Sequence, residues 1–322
     1  MRNPETILNS LSAHSKDVHY KYERLYRILF NEQMFYVAYQ SIYAKPGNMT
    51  PGTDGKTEDE MSIDRINKLI ESIKDETYSP NPAKRTYIPK KNGKMRPLGI
   101  PSFEDKLVQE VVRMVLEAIY EGHFEWTSHG FRPNRSCHTA LKSLQNNFNG
   151  AKWFIEGDIK GFFDNVDHEW LMKFLAHDIQ DKNFMRYIKR FLVAGIMEGA
   201  ELKDSDRGTP QGGLISPVLA NVYLHYVLDL WFEKAIRPKL RGEAYYVRFA
   251  DDFLILFQYE NESRDVLEVL KRRLGKFMLE VAEDKTRILP IGRFKGTKDE
   301  FDFLGFTFFW MCWKKCNPGN FD

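Results

Sequence analysis

The pattern of apolar and polar positions predicts a chain built from both helices and strands. Apolar residues recur every three or four positions in several segments, which is typical of amphipathic helices. Shorter runs are rich in β-branched and aromatic residues, which favour strands. The helical pattern covers residues 22–43, 63–73, 107–119, 168–179, 182–194, 214–232 and 266–278, and the strand pattern covers residues 85–89, 95–100, 153–158 and 245–257.

The strand pattern over residues 245–257 is interrupted by Asp251 and Asp252. Apolar runs on both sides of a short break predict a β-hairpin whose bend holds both carboxylates. Two adjacent negative charges repel each other, so a bound cation would explain why they stand between apolar strands. Taken alone, the stretch is explained equally well as an ordinary aspartate-rich turn.

A second apolar run, residues 153–158, ends at Asp158 and is followed by a glycine turn. Asp158 is too far along the chain from Asp251 for one local turn to explain both. If the two strands are neighbours in one sheet, three carboxylates meet at one edge. Hard divalent ions such as Mg²⁺ prefer such oxygen ligands, and paired metal ions support phosphoryl transfer. The three aspartates are therefore candidates for a phosphoryl-transfer site.

Residues 80–103 carry six lysine and arginine side chains and no acidic residue. Asn92 and Gly93 predict the turn of a hairpin between two strands in this segment. A basic hairpin suits the binding of phosphate groups, whether of a nucleotide triphosphate or of a template backbone. The alternative is a solvated basic ribbon without a ligand.

The composition sets wider limits. The chain has 322 residues, enough for two or three subdomains, and its net charge of +2 is too small to indicate nucleic-acid binding by itself. Three cysteines indicate a reduced protein without a disulfide framework. The longest uncharged apolar stretch, residues 303–313, is too short to span a bilayer. We therefore expect a cytoplasmic protein with no membrane partner.

Several sequence blocks stand in a fixed order around the acidic hairpin. They are RPLGIP at residues 96–101, HGFRPNRS at 129–136, GDIKGFFD at 157–164, GTPQGGLISP at 208–217, FADD at 249–252, EDKT at 283–286 and FLGF at 303–306. Together they resemble the reverse transcriptases encoded by group II introns, which also serve as maturases. Phe249 departs from that family, where tyrosine is more common at this position, but the aromatic ring is kept.

The resemblance implies an α+β fold, the fingers and palm of a right-hand polymerase, with an antiparallel palm sheet backed by helices. An N-terminal extension and fingers are expected over residues 1–150 and the palm over residues 151–322, with part of the fingers near residues 175–205. The chain ends before the thumb of the family would begin, so we expect a fragment with the thumb absent. Aromatic residues from Phe306 to Trp313 would then be exposed and would promote homodimerisation or other self-association.

The resemblance also implies roles for individual residues. Asp158, Asp251 and the backbone carbonyl of Ile159 are expected to hold two Mg²⁺ ions, with Asp252 completing the charge balance. Phe162, preferred over Phe163, is expected to exclude a 2′-hydroxyl from the nucleotide site. The expected contacts to the incoming dNTP are Lys90, Arg96, Phe162 and Gln211, and those to template or primer are Lys84, Arg85, Arg132 and Lys285.

The function implied by the resemblance is RNA-directed DNA polymerisation, in which a primer 3′-hydroxyl attacks the α-phosphate of a dNTP. The expected partners are an RNA template, a DNA primer and the intron RNA. The alternative is an RNA-binding maturase module that supports splicing without polymerisation. A retron or another bacterial reverse transcriptase is disfavoured by the N-terminal extension and by the closeness of the blocks.

Overall fold

The computed structural model describes residues 2–309, apart from residues 46, 48, 90–92, 94, 148–149, 204, 210–211 and 291–299. The α-helices are α1 (Pro4–Ala13), α2 (Glu32–Ile42), α3 (Ile63–Lys74), α4 (Phe103–Tyr120), α5 (Cys137–Asn147), α6 (Phe162–Asn165), α7 (His168–Asp178), α8 (Lys182–Val193), α9 (Ser216–Leu224) and α10 (Glu260–Lys276). The strands are β1 (Ala83–Pro89), β2 (Met95–Ile100), β3 (Trp153–Gly157), β4 (Ile196–Glu198), β5 (Glu201–Lys203), β6 (Ala244–Phe249), β7 (Asp252–Phe257), β8 (Arg287–Pro290), β9 (Glu300–Phe303) and β10 (Phe306–Phe309).

Polar side chains fix the start of several helices by accepting a backbone N–H that would otherwise lack a partner. The side chain of Ser102 accepts from the N–H of Asp105 at 3.2 Å and so begins α4. Asp167 accepts from the N–H of Trp170 at 2.8 Å and begins α7. Helix α4 is buried over most of its length and lies at the centre of the main core.

The central sheet has the strand order β6-β7-β3-β8, and all its neighbours are antiparallel. Strands β6 and β7 form the predicted hairpin, and β7 pairs with β3 so that Gly157 lies opposite Phe253. This register places the residues that follow β3 beside the bend of the hairpin. The antiparallel sheet backed by helices confirms the fold class predicted from the sequence.

The two faces of this sheet have different neighbours. Tyr246, Phe253 and Ile255 belong to the main core, which includes α4 and α9. Val247 and Leu254, on the opposite face, join a smaller apolar cluster with residues of α5. Near the hairpin bend this second face carries acidic and basic side chains and borders a cleft.

A second sheet has the strand order β2-β1-β4-β5. Strands β1 and β2 form the predicted basic hairpin, with Lys84 opposite Ile100 and Ile88 opposite Arg96. The short strand β4 pairs with β1 in parallel, so residues 196–203 join a sheet formed mainly by residues 83–100. The expected assignment of residues near 175–205 to the fingers and the domain limits stay predictions.

The helix behind the central sheet changes its geometry along its length. It begins as α9 and continues as π-helical turns over His225–Asp229 and Trp231–Ile236. Wider turns of this kind are rare and often occur at functional positions. Within the described part of the chain, no helix is both long enough and apolar enough to cross a membrane.

Candidate active site

The hairpin between β6 and β7 ends in a two-residue turn formed by Ala250 and Asp251, since Phe249 pairs with Asp252. Ala250 has a positive φ of 57°, and a positive φ at the first central residue is what a type II′ hairpin turn requires. An alanine in this region is unfavourable by itself, so contacts around the turn must stabilise it. The turn places the carboxylates of Asp251 and Asp252 at one end of the sheet.

Asp158 directly follows the last paired residue of β3, so it lies beside Asp252 on the neighbouring strand. Adjacent strands are about 4.8 Å apart. Directly opposite residues of an antiparallel pair share a face, so Asp158 and Asp252 lie on the cleft side of the sheet. The structure thus brings the three aspartates predicted from the sequence to one end of one sheet.

The concentration of negative charge shifts the acidity of these groups. Loss of surrounding water, followed by the neighbouring charges of Asp251 and Asp158, raises the pKa of Asp252 to about 6. Burial, followed by the charge of Asp158, also raises the pKa of Asp251. A raised carboxyl pKa means that the negative form lacks compensation, so the site favours a cation.

A lysine supplies part of that compensation. The ammonium group of Lys285 is paired with Asp158, and this contact raises the pKa of Lys285. Among the described residues, no group of three or more His, Cys, Asp or Glu side chains is gathered closely enough to hold a metal ion. Because Asp158 faces Lys285, its carboxylate is directed to an internal cation. The structure thus places Lys285, which was predicted to contact nucleic acid, beside Asp158 at the end of the central sheet.

The cleft beside the aspartates has a volume of about 840 Å³. An ion pair of 2.8 Å between Arg287 and Glu156 lines one side. Arg96, from the basic hairpin, lines the same cleft as Asp158 and Asp252. A guanidinium and a set of carboxylates therefore face one space, in which an anion and a cation could be bound together.

The basic residues of the hairpin are divided between its two faces. Cross-strand pairing puts Lys84 and Arg96 on one face, because their strand positions share the same parity. Arg85 lies on the other face with Tyr87, whose hydroxyl donates to Glu198. Lys90, the other predicted triphosphate contact, lies outside the described residues. Among the described basic candidates on this hairpin, which are Lys84, Arg85 and Arg96, only Arg96 lines the cleft.

The loop before α9 lies between the basic hairpin and the residues that follow Asp158. A Cβ on Gly212 would stand 2.4 Å from the carbonyl oxygen of Gly99, and one on Gly208 would stand 2.9 Å from that of Phe163. Glycine is needed at both positions because the backbones approach so closely. Gln211, predicted to lie near the nucleotide, is outside the described residues.

The two phenylalanines after Asp158 have different environments. Phe162 is 1% exposed and belongs to the main core, where its ring contacts that of Tyr223. Phe163 is only partly buried, and its ring lies edge-on to that of Phe131, which is 49% exposed. Burial therefore contradicts the preference for Phe162 as the sugar contact, because a core side chain has no access to a ligand in the cleft. Phe163 is the more accessible of the two rings.

The structure also contradicts the nucleic-acid role predicted for Arg132. Its guanidinium pairs with Glu121 at 2.7 Å and donates to the backbone carbonyls of Glu125 and Ser128 at 2.8 and 2.7 Å. The side chain is only 4% exposed and lies over the ring of Phe124. Arg132 therefore stabilises the loop between α4 and α5 from inside, and its charge does not face a ligand.

Sequence reasoning missed one residue close to the acidic turn. Arg248 is wholly buried in β6 and pairs with Asp229, which is also wholly buried. The available signal was a single arginine in an otherwise apolar strand, two residues before the turn. Lys and Arg are almost never fully buried unless they are paired, so that arginine predicted a buried acidic partner.

The antiparallel sheet is palm-like, carries three aspartates at one end and is faced by a basic hairpin across a cleft. This is the architecture of the fingers-and-palm polymerase fold. The family model described as reverse transcriptase (RNA-dependent DNA polymerase) matches residues 88–308. The chain therefore belongs to the reverse transcriptase family, and the resemblance predicted from its sequence blocks is confirmed.

Similar proteins support the same assignment. The group II intron-encoded protein LtrA of Lactococcus lactis subsp. cremoris is 40% identical, over 94% of this chain and 54% of LtrA. The chain thus spans about half the length of LtrA. Protein YkfC of Escherichia coli (strain K12) is 31% identical, over 88% of this chain and 82% of YkfC. A solved telomerase structure from Candida albicans, with a fragment of telomeric RNA, superposes with a TM-score of 0.54 at 18% identity, covering 73% of this chain and 45% of that one, which shows a shared fold.

Proposed function

We propose that this chain is the fingers-and-palm part of a group II intron-encoded reverse transcriptase and extends a DNA primer on an RNA template. The observation that carries the proposal is the meeting of Asp158, Asp251 and Asp252 at one end of the central sheet, beside a cleft that Arg96 also lines. The family match and the identity to LtrA support it.

The carboxylates suit Mg²⁺ because they offer hard oxygen donors and carry uncompensated negative charge. Asp158, Asp251 and the backbone carbonyl of Ile159 would hold the ions, with Asp252 completing the charge balance. Ile159 and Val281 form an isolated β-bridge, whose backbone hydrogen bonds are made by the N–H of Lys160 and the carbonyl of Asp158. The carbonyl of Ile159 takes no part in these two bonds. Bound Mg²⁺ would lower the pKa of the primer hydroxyl and neutralise charge on the phosphates.

Residues around the aspartates would bind and orient the nucleotide. Arg96 would pair with the triphosphate, since it is the described basic side chain that faces the cleft from the hairpin. Lys90 and Gln211 keep their predicted nucleotide contacts as proposals. Phe163 would take the place predicted for Phe162 and press against the sugar. Lys285 would offset the negative charge of Asp158 through their ion pair until the substrates bind.

The basic hairpin would also bind the template. Lys84 is exposed, and Arg85 lies on the face turned away from Arg96. These side chains provide positive charge outside the nucleotide site, which suits the sequence-independent binding of a phosphate backbone. The same surface would hold the intron RNA if the protein supports splicing, as the name of a relative, nuclear intron maturase 2 of Arabidopsis thaliana, indicates for that protein.

The Asp251→Asn variant tests the proposal. It removes one negative charge at nearly unchanged shape, so we expect primer extension on an RNA template to fall at least about 1000-fold. The assay is run on the chain itself and on a chimera in which the chain replaces the matching half of LtrA. The Asp265→Asn variant, an exposed position on α10, is the matched control. Extension at the wild-type rate by the Asp251→Asn chimera would contradict the proposed chemistry.

The same variant separates polymerisation from RNA binding. Asp251 lies in the turn of the acidic hairpin, away from the strand that carries Lys84 and Arg85. We therefore expect the Asp251→Asn chimera to bind intron RNA and support splicing like the wild type. A parallel loss of RNA binding and extension would indicate that the variant disturbs the fold, which circular dichroism would detect.

A further inference from the structure

The guanidinium of Arg248 is fully buried and uses all its N–H groups. Nε and Nη2 donate to the two carboxylate oxygens of Asp229 at 2.7 and 2.6 Å. Nη1 donates to the side-chain oxygen of Asn221 at 3.1 Å and to the carbonyl oxygen of Ala250 at 3.0 Å. Nη2 also donates to the hydroxyl of Ser128 at 2.8 Å. A guanidinium has five N–H donors, and here they reach five acceptor atoms.

These acceptors join two separate elements to the acidic turn. Asp229 and Asn221 lie on the helix behind the sheet, Ser128 lies on the loop after α4, and Ala250 is the first residue of the turn itself. Tyr246 lies two residues before Arg248 on β6, on the same face of the sheet, and its hydroxyl donates to Asp229 at 3.0 Å. The carboxylate of Asp229 is thus fixed from two positions of the strand that leads into the turn.

The π-helical turn helps to bring Asn221 and Asp229 to the same guanidinium. Eight residues of a regular α-helix advance by about 800°, which would leave the two side chains about 80° apart around the axis. The turns from His225 to Asp229 are π-helical and advance less per residue, because their hydrogen bonds close a wider ring. This reduces the angle and lets both side chains face β6.

The loop after α4 supports the turn from its other side. The N–H of Arg248 donates to the carbonyl of Thr127 at 2.9 Å, and the N–H of His129 donates to the carbonyl of Arg248 at 2.8 Å. Asn221 donates its amide to the carbonyl of Gly130 at 2.8 Å. A Cβ on Gly130 would stand only 2.3 Å from the backbone nitrogen of Ala250. The loop therefore lies directly against the turn, without room for a side chain.

We propose that Arg248 and Asp229 are positioning residues that hold the Ala250–Asp251 turn in the geometry required for binding divalent metal ions. Arg248 touches no substrate, and it acts through the Ala250 carbonyl on the carboxylate one residue later. This inference rests on the proposed polymerase function, because it assigns the metal-binding role to Asp251.

The chemistry of the pair supports a positioning role over a purely stabilising one. A buried ion pair is no more stabilising than a well-packed apolar pair of similar volume, since both charges lose their water. The guanidinium fixes the orientation of the groups that it binds, because its donors lie in a fixed plane. Ala250 has a positive φ that is costly for alanine, and a rigid donor at its carbonyl counteracts relaxation of the turn.

The test compares Arg248→Lys and Asp229→Asn with Arg113→Lys. Arg113 also forms an ion pair, at 2.7 Å, with the buried Glu110 on α4. Among the described contacts of Arg113, none involves the turn. Two quantities are measured for each LtrA chimera: the affinity for Mn²⁺ from electron paramagnetic resonance titration without substrates, and the kcat and dNTP KM of primer extension. Thermal melting reports the loss of stability.

We expect Arg248→Lys to weaken Mn²⁺ binding about 10-fold and to lower kcat about 100-fold, because a misplacement of about 1 Å at a reacting centre has an effect of that size. The dNTP KM should change less than about threefold, since Arg96 binds the triphosphate. Arg113→Lys should lower the melting temperature and leave Mn²⁺ affinity and kcat unchanged.

Ser128→Ala removes one of the five acceptors and keeps the ion pair, so it tests the inference even if the Arg248 variants do not fold. We expect a loss of Mn²⁺ affinity of about two- to threefold, with a wild-type dNTP KM. Wild-type Mn²⁺ affinity and kcat in both Ser128→Ala and a folded Asp229→Asn protein would overturn the inference. The proposed function fails separately, and only if Asp251→Asn retains extension.

Discussion

At the residue scale, neighbouring side chains of the same type differ in burial and in the residues that they contact. Phe162 and Phe163 follow Asp158 on one short helix, yet Phe162 is 1% exposed in the main core while Phe163 faces the exposed ring of Phe131. Successive residues on a helix point about 100° apart, so the two rings meet different surroundings. Position on the helix, and not residue type, decides which ring is buried in the core.

This difference predicts opposite phenotypes for two matched variants. Phe163→Val should raise the incorporation of ribonucleotides relative to deoxynucleotides about 10- to 100-fold, because a smaller side chain leaves room for a 2′-hydroxyl. Phe162→Val should leave that ratio unchanged and lower the free energy of unfolding by about 2–3 kcal/mol through a core cavity. Primer extension with each nucleotide type and urea unfolding provide the measurements. An altered ratio in Phe162→Val alone would restore the original assignment of Phe162.

At the scale of elements, the register of the basic hairpin separates its charges. Lys84 and Arg96 share one face and Arg85 occupies the other, as the cross-strand pairs show. Arg96 lines the cleft with Asp158, whereas Arg85 is close enough to Glu198 to lower the pKa of that carboxyl, after the larger effects of hydrogen bonds from Lys203 and Tyr87. One element therefore presents positive charge to two different surroundings.

The two faces predict different kinetic effects. Arg96→Ala should raise the KM for dNTP about 10-fold or more, because a charge-assisted contact to the triphosphate is lost. Arg85→Ala should leave the dNTP KM within about twofold and weaken template binding instead. Steady-state extension and a filter-binding assay with the RNA template measure the two effects. A larger dNTP effect from Arg85→Ala would contradict the assignment of the faces.

At the scale of the whole molecule, two histidines buried between elements link stability to pH. His129 lies in the loop against β6, and His225 begins the π-helical segment. Burial is the main cause that lowers the pKa of each to about 4, and for His129 the positive charge of Arg135 contributes to this value. In the unfolded chain both would titrate near pH 6.5. The unfolded chain therefore binds more protons below pH 6.5 than the folded protein does.

Stability should accordingly fall as pH decreases from about 6.5 to 4. Each histidine contributes up to roughly 3 kcal/mol of destabilisation at pH 4, and Asp252 opposes this because its raised pKa favours the folded state in the acid range. Urea unfolding of Asp252→Asn protein at pH 7.5, 5.5 and 4.5 should show the fall most clearly. Adding His225→Gln should reduce the change in the free energy of unfolding between these pH values. A free energy of unfolding that is flat across this range would contradict the assigned protonation states.

Some predictions about the whole molecule extend beyond the described residues. Phe306 is 41% exposed and lies edge-on to His138, which agrees with an exposed aromatic segment, while Trp310 and Trp313 are outside the described part of the chain. Self-association through this segment and the domain limits at residue 150 therefore stay predictions. Light scattering at high protein concentration would test the first.

The sequence by itself determined the family, the acidic hairpin, the strand before Asp158 and the basic hairpin, because these depend on local periodicity and short ordered blocks. Only the tertiary structure decided that Phe162 and Arg132 are buried, that Arg96 and Arg85 face apart, and that Lys285 pairs with Asp158. It alone revealed Asp229 as the partner of Arg248. The reason is physical: burial, strand register and the pairing of charges depend on residues far apart in the chain, which a local pattern does not contain.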